Sequence, residues 1–395
     1  MGQPENNLRE RLRQWYKEGG CRRGRKQANV DVKGSFIPLL RWILSWWGSD
    51  DKSLVLAADA STFGQRFTVL PIAVVYRGCG IPVAWKIVGA TDKGSWKPHW
   101  LELFAHLDGG IPPDWKVIVT TDRGLYAKWM YQAIQKCAWH PFMRINSGGL
   151  YQLCPDAPDR EWMPLSQILT RVGQHLVAEV KCFKSDSLSC TLLGRWDHGY
   201  TDPWLIVTDL PPEEATSYWY GMRNWIECLF KDLKRGGLGW HQTKMTDPER
   251  AERLWLAIAV ATVLLVSVGG DADAQLSANS RSRWQYPDSD GDSSTDDSTD
   301  DPSISVAVDD SDPATVTHPD RPKPSAKVNP CRIISSPDAD AINQESDFCE
   351  PRNTFSAPRW LSCFRRGSLK LLAALIRGNT LPTGRFIPDY SLNTA

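Results

Sequence analysis

The sequence predicts an α/β fold: a mixed sheet flanked by helices, with an all-β insertion and a disordered acidic linker. Three observations lead there. The run Ser53 to Ala58 is nearly continuously apolar, so it reads as a strand buried on both faces, and Trp115 to Thr121 reads as a further buried strand. Each run ends abruptly in an aspartate, Asp59 and Asp122 respectively. Around them, strand-like segments give way to strands alternating with helical segments, which is the pattern of a sheet covered by helices.

Residues 1–50 form a basic, helical N-terminal segment, with Arg9, Arg11, Arg13, Lys17, Arg22, Arg23, Arg25 and Lys26 ahead of the apolar stretch Phe36 to Trp47. It reads equally as a DNA-contacting arm and as a solvated lead-in. After the first buried strand, the runs Phe67 to Tyr76 and Ile81 to Val88 flank the turn R-G-C-G and complete a three-stranded meander. A helix from Trp96 to Leu107, the strand ending at Asp122, a helix from Leu125 to Lys136 and a strand from Pro141 to Ile145 follow. This order resembles an RNase H-like (retroviral-integrase-like) layer, and residues 51–270 are expected to form one catalytic domain.

Residues 146–213 change character. Short runs near Tyr151, Glu161 to Pro164, His175 to Phe183, Ser189 to Trp196 and Trp204 to Asp209 are joined by Pro, Asp and Gly turns, so a β-rich insertion is expected. Asp209, the runner-up carboxylate, ends the last of them in a T-D-L-P-P context better suited to a turn before a helix. The next segment, Tyr220 to Lys234, has helix formers throughout and no Pro. On a regular α-helix Tyr220, Arg223, Glu227 and Lys234 would share an arc of about 60°, with Met222, Trp225, Ile226, Leu229 and Leu233 opposite. A helix from Pro248 to Val268 follows. Its apolar run from Leu254 is short for a membrane span, which takes about 20 residues, and is expected in the core. Residues 271–355 read as the disordered Asp/Ser-rich linker, and 356–395 as a basic helical tail whose segment Trp360 to Arg377 docks on the body or on a second protomer.

Net charge is zero over 395 residues, but the charges are segregated. Residues 271–320 hold thirteen Asp and two Arg, leaving 44 basic against 33 acidic residues elsewhere. A basic body points to a polyanionic partner. Ten cysteines without a C-x-x-C pair speak against zinc. The N-terminus lacks the apolar core of a signal peptide, so a reducing cytoplasm is expected.

Two strand-end aspartates and a helical glutamate suit phosphodiester chemistry. That chemistry uses two divalent cations about 4 Å apart, and Mg²⁺ takes hard oxygen ligands. Cations beside such a cup would hold phosphates: Arg223 as a fork, Lys234 as a point charge, with Tyr220 hydrogen-bonding or stacking.

At these residues the chain resembles a family. Tyr220, Arg223, Glu227 and Lys234 spell Y-x2-R-x3-E-x6-K, with D-A-S-T around Asp59 and T-D-R-G around Asp122. This resembles the signature of DDE transposases of the insertion-sequence-four type. The resemblance implies an RNase H-like core, two Mg²⁺ ions (Mn²⁺ substituting) held by Asp59, Asp122 and Glu227, and cut-and-paste movement of an insertion sequence. It implies that Tyr220, Arg223 and Lys234 contact the transposon end. It further implies double-stranded DNA partners (terminal inverted repeats and target), a hairpin intermediate, a homodimer in a synaptic complex, and a cytoplasmic, nucleoid-associated location. A Trp of the insertion would accept a flipped base, with Trp162 and Trp196 as candidates. Asp59 comes earlier than in relatives with a longer N-terminal domain, and the acidic linker is foreign to the motif. Two other readings therefore stand beside the first: a truncated, non-catalytic DNA-binding relic or inhibitor, and a general RNase H-like nuclease.

Overall fold

The computed structural model describes residues 5–17, 21–22, 25–26, 29–153, 161–283 and 361–392. Its centre is β1 (Ser53–Ala58), every side chain of which is buried. A strand apolar on both faces needs cover on both, and the burial of all six residues shows that it has it. One edge of β1 pairs antiparallel with β3 (Phe67–Tyr76), and the other pairs parallel with β5 (Lys116–Thr121). The chain breaks at Asp59 and Ala60, then resumes as β2 (Ser61–Phe63) along the edge of β3 that β1 occupies. The opposite edge of β3 is filled by β4 (Cys79–Gly89), and β6 (His140–Arg144) lies parallel beside β5. The central strand order is therefore β4-β3-β1-β5-β6.

The β-rich stretch extends this same sheet. In it β7 (Leu150–Leu153), β8 (Met163–Pro164), β9 (His175–Cys182), β10 (Leu188–Arg195) and β11 (Trp204–Thr208) pair antiparallel, and β11 joins β6 antiparallel. Eleven strands result in one mixed sheet. Asp209 follows β11 at the end of the sheet where β6 begins, pairing with His140 at 2.9 Å and accepting from Gln135 at 3.0 Å. It lies away from Asp59 and Asp122.

Helix α1 (Glu5–Trp15) hangs on α6 (Pro248–Arg283): the Trp15 indole donates to the Arg253 carbonyl at 3.3 Å, and Arg253 donates back to the Tyr16 carbonyl at 3.0 Å. Helix α2 (Phe36–Ser45) inserts Phe36 edge-on to Trp85 of β4, with ring centroids 4.9 Å apart. Helices α3 (Lys97–Leu107) and α4 (Lys128–Lys136) bury Trp100, Leu103, Phe104, Met130, Tyr131 and Ile134.

Three expectations are corrected. First, the linker does not begin at residue 271: α6 continues through 271–283, and residues 284–355 lie outside the described ones. The early aspartates are tolerated because buried Asp273 is neutralised by Arg77 at 3.2 Å and Arg366 at 3.5 Å. By length and composition α6 could cross a membrane, but its apolar window is more than half buried in the fold.

Second, the segment around Glu227 is not one regular α-helix. It starts as a 3₁₀ helix (Ser217–Asn224), continues as α5 (Trp225–Lys231) and ends in a π turn (Asp232–Gly236). Third, the tail is more than a docked helix. Helix α7 (Cys363–Ile376) crosses α6 so closely that a Cβ on Gly269 would run into the Cys363 carbonyl, and one on Gly367 into that of Leu265. Beyond it, Phe386 and Leu392 are fully buried. The Tyr390 hydroxyl donates to the Val75 carbonyl at 3.3 Å and accepts from the Val55 amide at 3.4 Å, stitching the end of the chain to β3 and β1.

Candidate active site

The parallel ladder of β1 and β5 pairs Ala58 with Thr121. The next residue of each strand, Asp59 and Asp122, therefore emerges side by side at the carboxyl end of the sheet, where open α/β sheets place their ligands. Backbone amides hold one oxygen of each. Asp59 Oδ1 accepts from Ala60 N at 2.8 Å, and Asp122 Oδ1 accepts from Leu125 N at 3.0 Å.

The third carboxylate arrives on α5. Ile226 and Leu229 are buried, so Glu227 points outward and is half exposed. What brings the three together is Arg223. Its Nη2 donates to Asp59 Oδ2 at 2.9 Å and lies 3.8 Å from Asp122 Oδ2, while Nη1 donates to Glu227 Oε1 at 2.7 Å. Its Nε is buried without a hydrogen-bond partner. Burial alone would lower the Arg223 pKa, but Asp59, Tyr220, Asp122 and Glu227 outweigh it and raise it. Burial pushes Asp59 up to about 6, against the opposing pull of Arg223 and the Ala60 amide.

Tyr220 is buried rather than displayed on the polar stripe. Its hydroxyl donates to the Thr121 carbonyl at 3.1 Å and its ring packs edge-on to Trp204 with centroids 5.1 Å apart. The 3₁₀ winding, with three residues per turn, stacks Tyr220 under Arg223 and so ties the arginine's turn to the strand that ends in Asp122. Burial pushes the phenol up to about 12. Lys234, on the π turn, reaches β2 instead, donating to the Thr62 carbonyl at 3.3 Å and to Ser61 Oγ at 3.5 Å, with its ammonium 4.4 Å from the centre of the Phe63 ring. Burial lowers its pKa. Trp196 donates its indole N–H to the Tyr200 carbonyl at 3.0 Å, and Trp162 is half-buried.

Sequence spacing did not single out Asp202. From the β10–β11 turn it pairs with Arg123 at 2.7 Å and Arg144 at 3.3 Å, bridging the residue after Asp122 to β6. No local signal could mark it, because its partners are 79 and 58 residues away.

Among the described residues no three His, Cys, Asp or Glu side chains form a ready-made metal cluster. The donor chemistry nevertheless fits a hard cation: three carboxylates from rigid elements meet on a single positive group.

Among curated proteins none matches this chain. Among solved structures it is similar to a piggyBac transposase synaptic complex with hairpin DNA, at 9% identity over 60% of this chain and 55% of that one. The TM-score is 0.30, and the chain spans about half the length of that protein. Residues 87–264 match the model of the transposase DDE domain, a span that includes Asp122, Tyr220, Arg223, Glu227 and Lys234 and begins after Asp59. That match supports a DDE transposase domain in this chain.

Proposed function

We propose that the protein is a Mg²⁺-dependent DDE transposase of the insertion-sequence-four type, hydrolysing DNA at transposon ends and transferring the freed strand to target DNA. The observation that carries this is the meeting of Asp59, Asp122 and Glu227 on Arg223. The strand order β4-β3-β1-β5-β6, with an antiparallel meander and then two parallel strands, supports an RNase H-like core.

In this reading Asp59, Asp122 and Glu227 hold the metal. When bound, paired Mg²⁺ ions activate the attacking oxygen and stabilise the leaving one. The protein's own part is positioning. Strand ends fix the aspartates, α5 sets Glu227, and the buried Tyr220 anchors the turn that carries Arg223. Arg223 offers a planar fork and Lys234 a point charge to phosphates of the transposon end. A DNA contact by Tyr220 requires its phenol to leave the Thr121 carbonyl. Hydrolysis frees a 3′-hydroxyl, which attacks the phosphodiester of the opposite strand and forms a hairpin as the flanking strand leaves with its own 3′-hydroxyl; water reopens the hairpin, and the regenerated 3′-hydroxyl attacks a target phosphodiester, whose 3′-oxygen leaves. Double-stranded DNA and a second copy of the chain, holding the other end, are the partners.

The test is cleavage of a duplex bearing the element's own terminal repeat in Mg²⁺. Asp59→Ala should abolish cutting. Undiminished cutting by that variant sinks the proposal, and equal cutting of unrelated duplexes by the wild type would favour a general nuclease.

A further inference from the structure

Arg223 lies among the carboxylate oxygens that would hold a metal. Each aspartate already has one oxygen on a backbone amide, Asp59 Oδ1 on Ala60 N and Asp122 Oδ1 on Leu125 N. The other two oxygens, Asp59 Oδ2 and Asp122 Oδ2, both face Arg223 Nη2. Glu227 Oε1 is engaged by Nη1 of the same guanidinium. The arginine is only 12% exposed and leaves its Nε unpaired, a cost that its three ion pairs offset while the site is free of metal.

From this geometry we propose that Arg223 is an internal placeholder for the divalent cation. It neutralises the carboxylate cup in the resting protein and leaves it when metal and a DNA phosphate arrive together. The inference rests on the metal-holding role proposed above for the three carboxylates. A guanidinium and a divalent cation on the same oxygens repel each other strongly, so metal entry requires Arg223 to turn outward. A phosphate is the natural receiver of its fork. Metal and DNA therefore bind with positive coupling, each easing the entry of the other, and the coupling is reciprocal. The resting protein is thereby disfavoured from loading metal before a DNA end is present.

The test is Mn²⁺ binding to the full, metal-free chain at neutral pH, followed by titration calorimetry or electron paramagnetic resonance, with circular dichroism confirming the fold of each variant. Arg223→Gln is expected to bind Mn²⁺ at least about tenfold tighter than wild type, the scale on which one neighbouring charge shifts a carboxylate's proton affinity. Arg223→Lys, which keeps the charge without the fork, should fall between them. A short blunt duplex should raise the wild type's Mn²⁺ affinity by a larger factor than that of Arg223→Gln. Equal or weaker Mn²⁺ binding by folded Arg223→Gln overturns the placeholder role, as does an equal duplex effect in both proteins. Asp59→Asn separates the two ideas: if it binds Mn²⁺ as the wild type does, the metal site itself is wrong, and the placeholder falls with it.

Discussion

Gly80 of β4 sets how closely the helix bearing Glu227 approaches the sheet. A Cβ added there would lie 3.0 Å from Leu229 Cβ and 3.4 Å from both the Ile226 Cα and the Trp225 carbonyl oxygen, all on α5. The tight contact is the one with Leu229 Cβ, an atom fixed to the helix backbone that no rotamer change can move, so α5 must retreat by a few tenths of an ångström. Overpacking by one methyl costs about 1–3 kcal/mol. Ala also restricts the unfolded chain, returning about 0.4–1 kcal/mol. Gly80→Ala should therefore lose about 1–2 kcal/mol net. Retreat of α5 moves Glu227 relative to Asp59 and Asp122, and misplacement on an ångström scale costs about a hundredfold in rate, so a loss of about tenfold in cleavage is expected. Urea unfolding gives the first number and Mg²⁺-dependent cleavage of terminal-repeat DNA the second. Gly148, whose added Cβ would meet nothing within 4 Å, is the control: Gly148→Ala should leave both unchanged within about 0.5 kcal/mol. If Gly80→Ala is as stable and as active as that control, the close seat of α5 does not govern the site and the reasoning fails.

Other outcomes follow from the same geometry. Glu227→Ala should abolish cleavage while a gel-shift assay still detects DNA binding, whereas Lys234→Ala should weaken binding of the DNA end and reduce its salt dependence by about one phosphate contact. Asp59 has a folded pKa raised by burial from 3.8 to about 6, so its stabilising effect on the metal-free protein is fully present below pH 3.8 and is lost as pH rises through about 6. Because the charged form is the ligand, Mn²⁺ affinity should fall about tenfold per pH unit below 6, measurable by calorimetry at two pH values. Gly269→Val places side-chain atoms against the Cys363 carbonyl and should cost more than about 3 kcal/mol in urea unfolding, by prising α7 from α6.

Much of this architecture was legible in the chain. Ser53 to Ala58 and Phe67 to Tyr76 are strands over the very residues expected, because unbroken apolar runs bounded by turn signals admit few alternatives. The acidic residues misled at α6, where Asp271 and Asp273 read as the start of a linker. The distant Arg77 and Arg366 make Asp273 compatible with a buried helix. The tail likewise carries no periodic signal at Phe386 or Tyr390: Phe386 is buried, and Tyr390 is held by hydrogen bonds to strands more than three hundred residues earlier.

By itself, then, the sequence determined the buried strands, the aspartate at the end of two of them, and the spacing that puts Arg223 and Glu227 four residues apart on one helical face. Those are local properties, set by hydrophobic period and chain length. Tertiary structure alone decided that the parallel register of β1 and β5 sets Asp59 beside Asp122. It also turned Tyr220 inward onto Thr121 and made Arg223 the common partner of all three carboxylates. These depend on which strands become neighbours and on the cost of burying charge unpaired, and neither can be read from the spacing of residues along the chain.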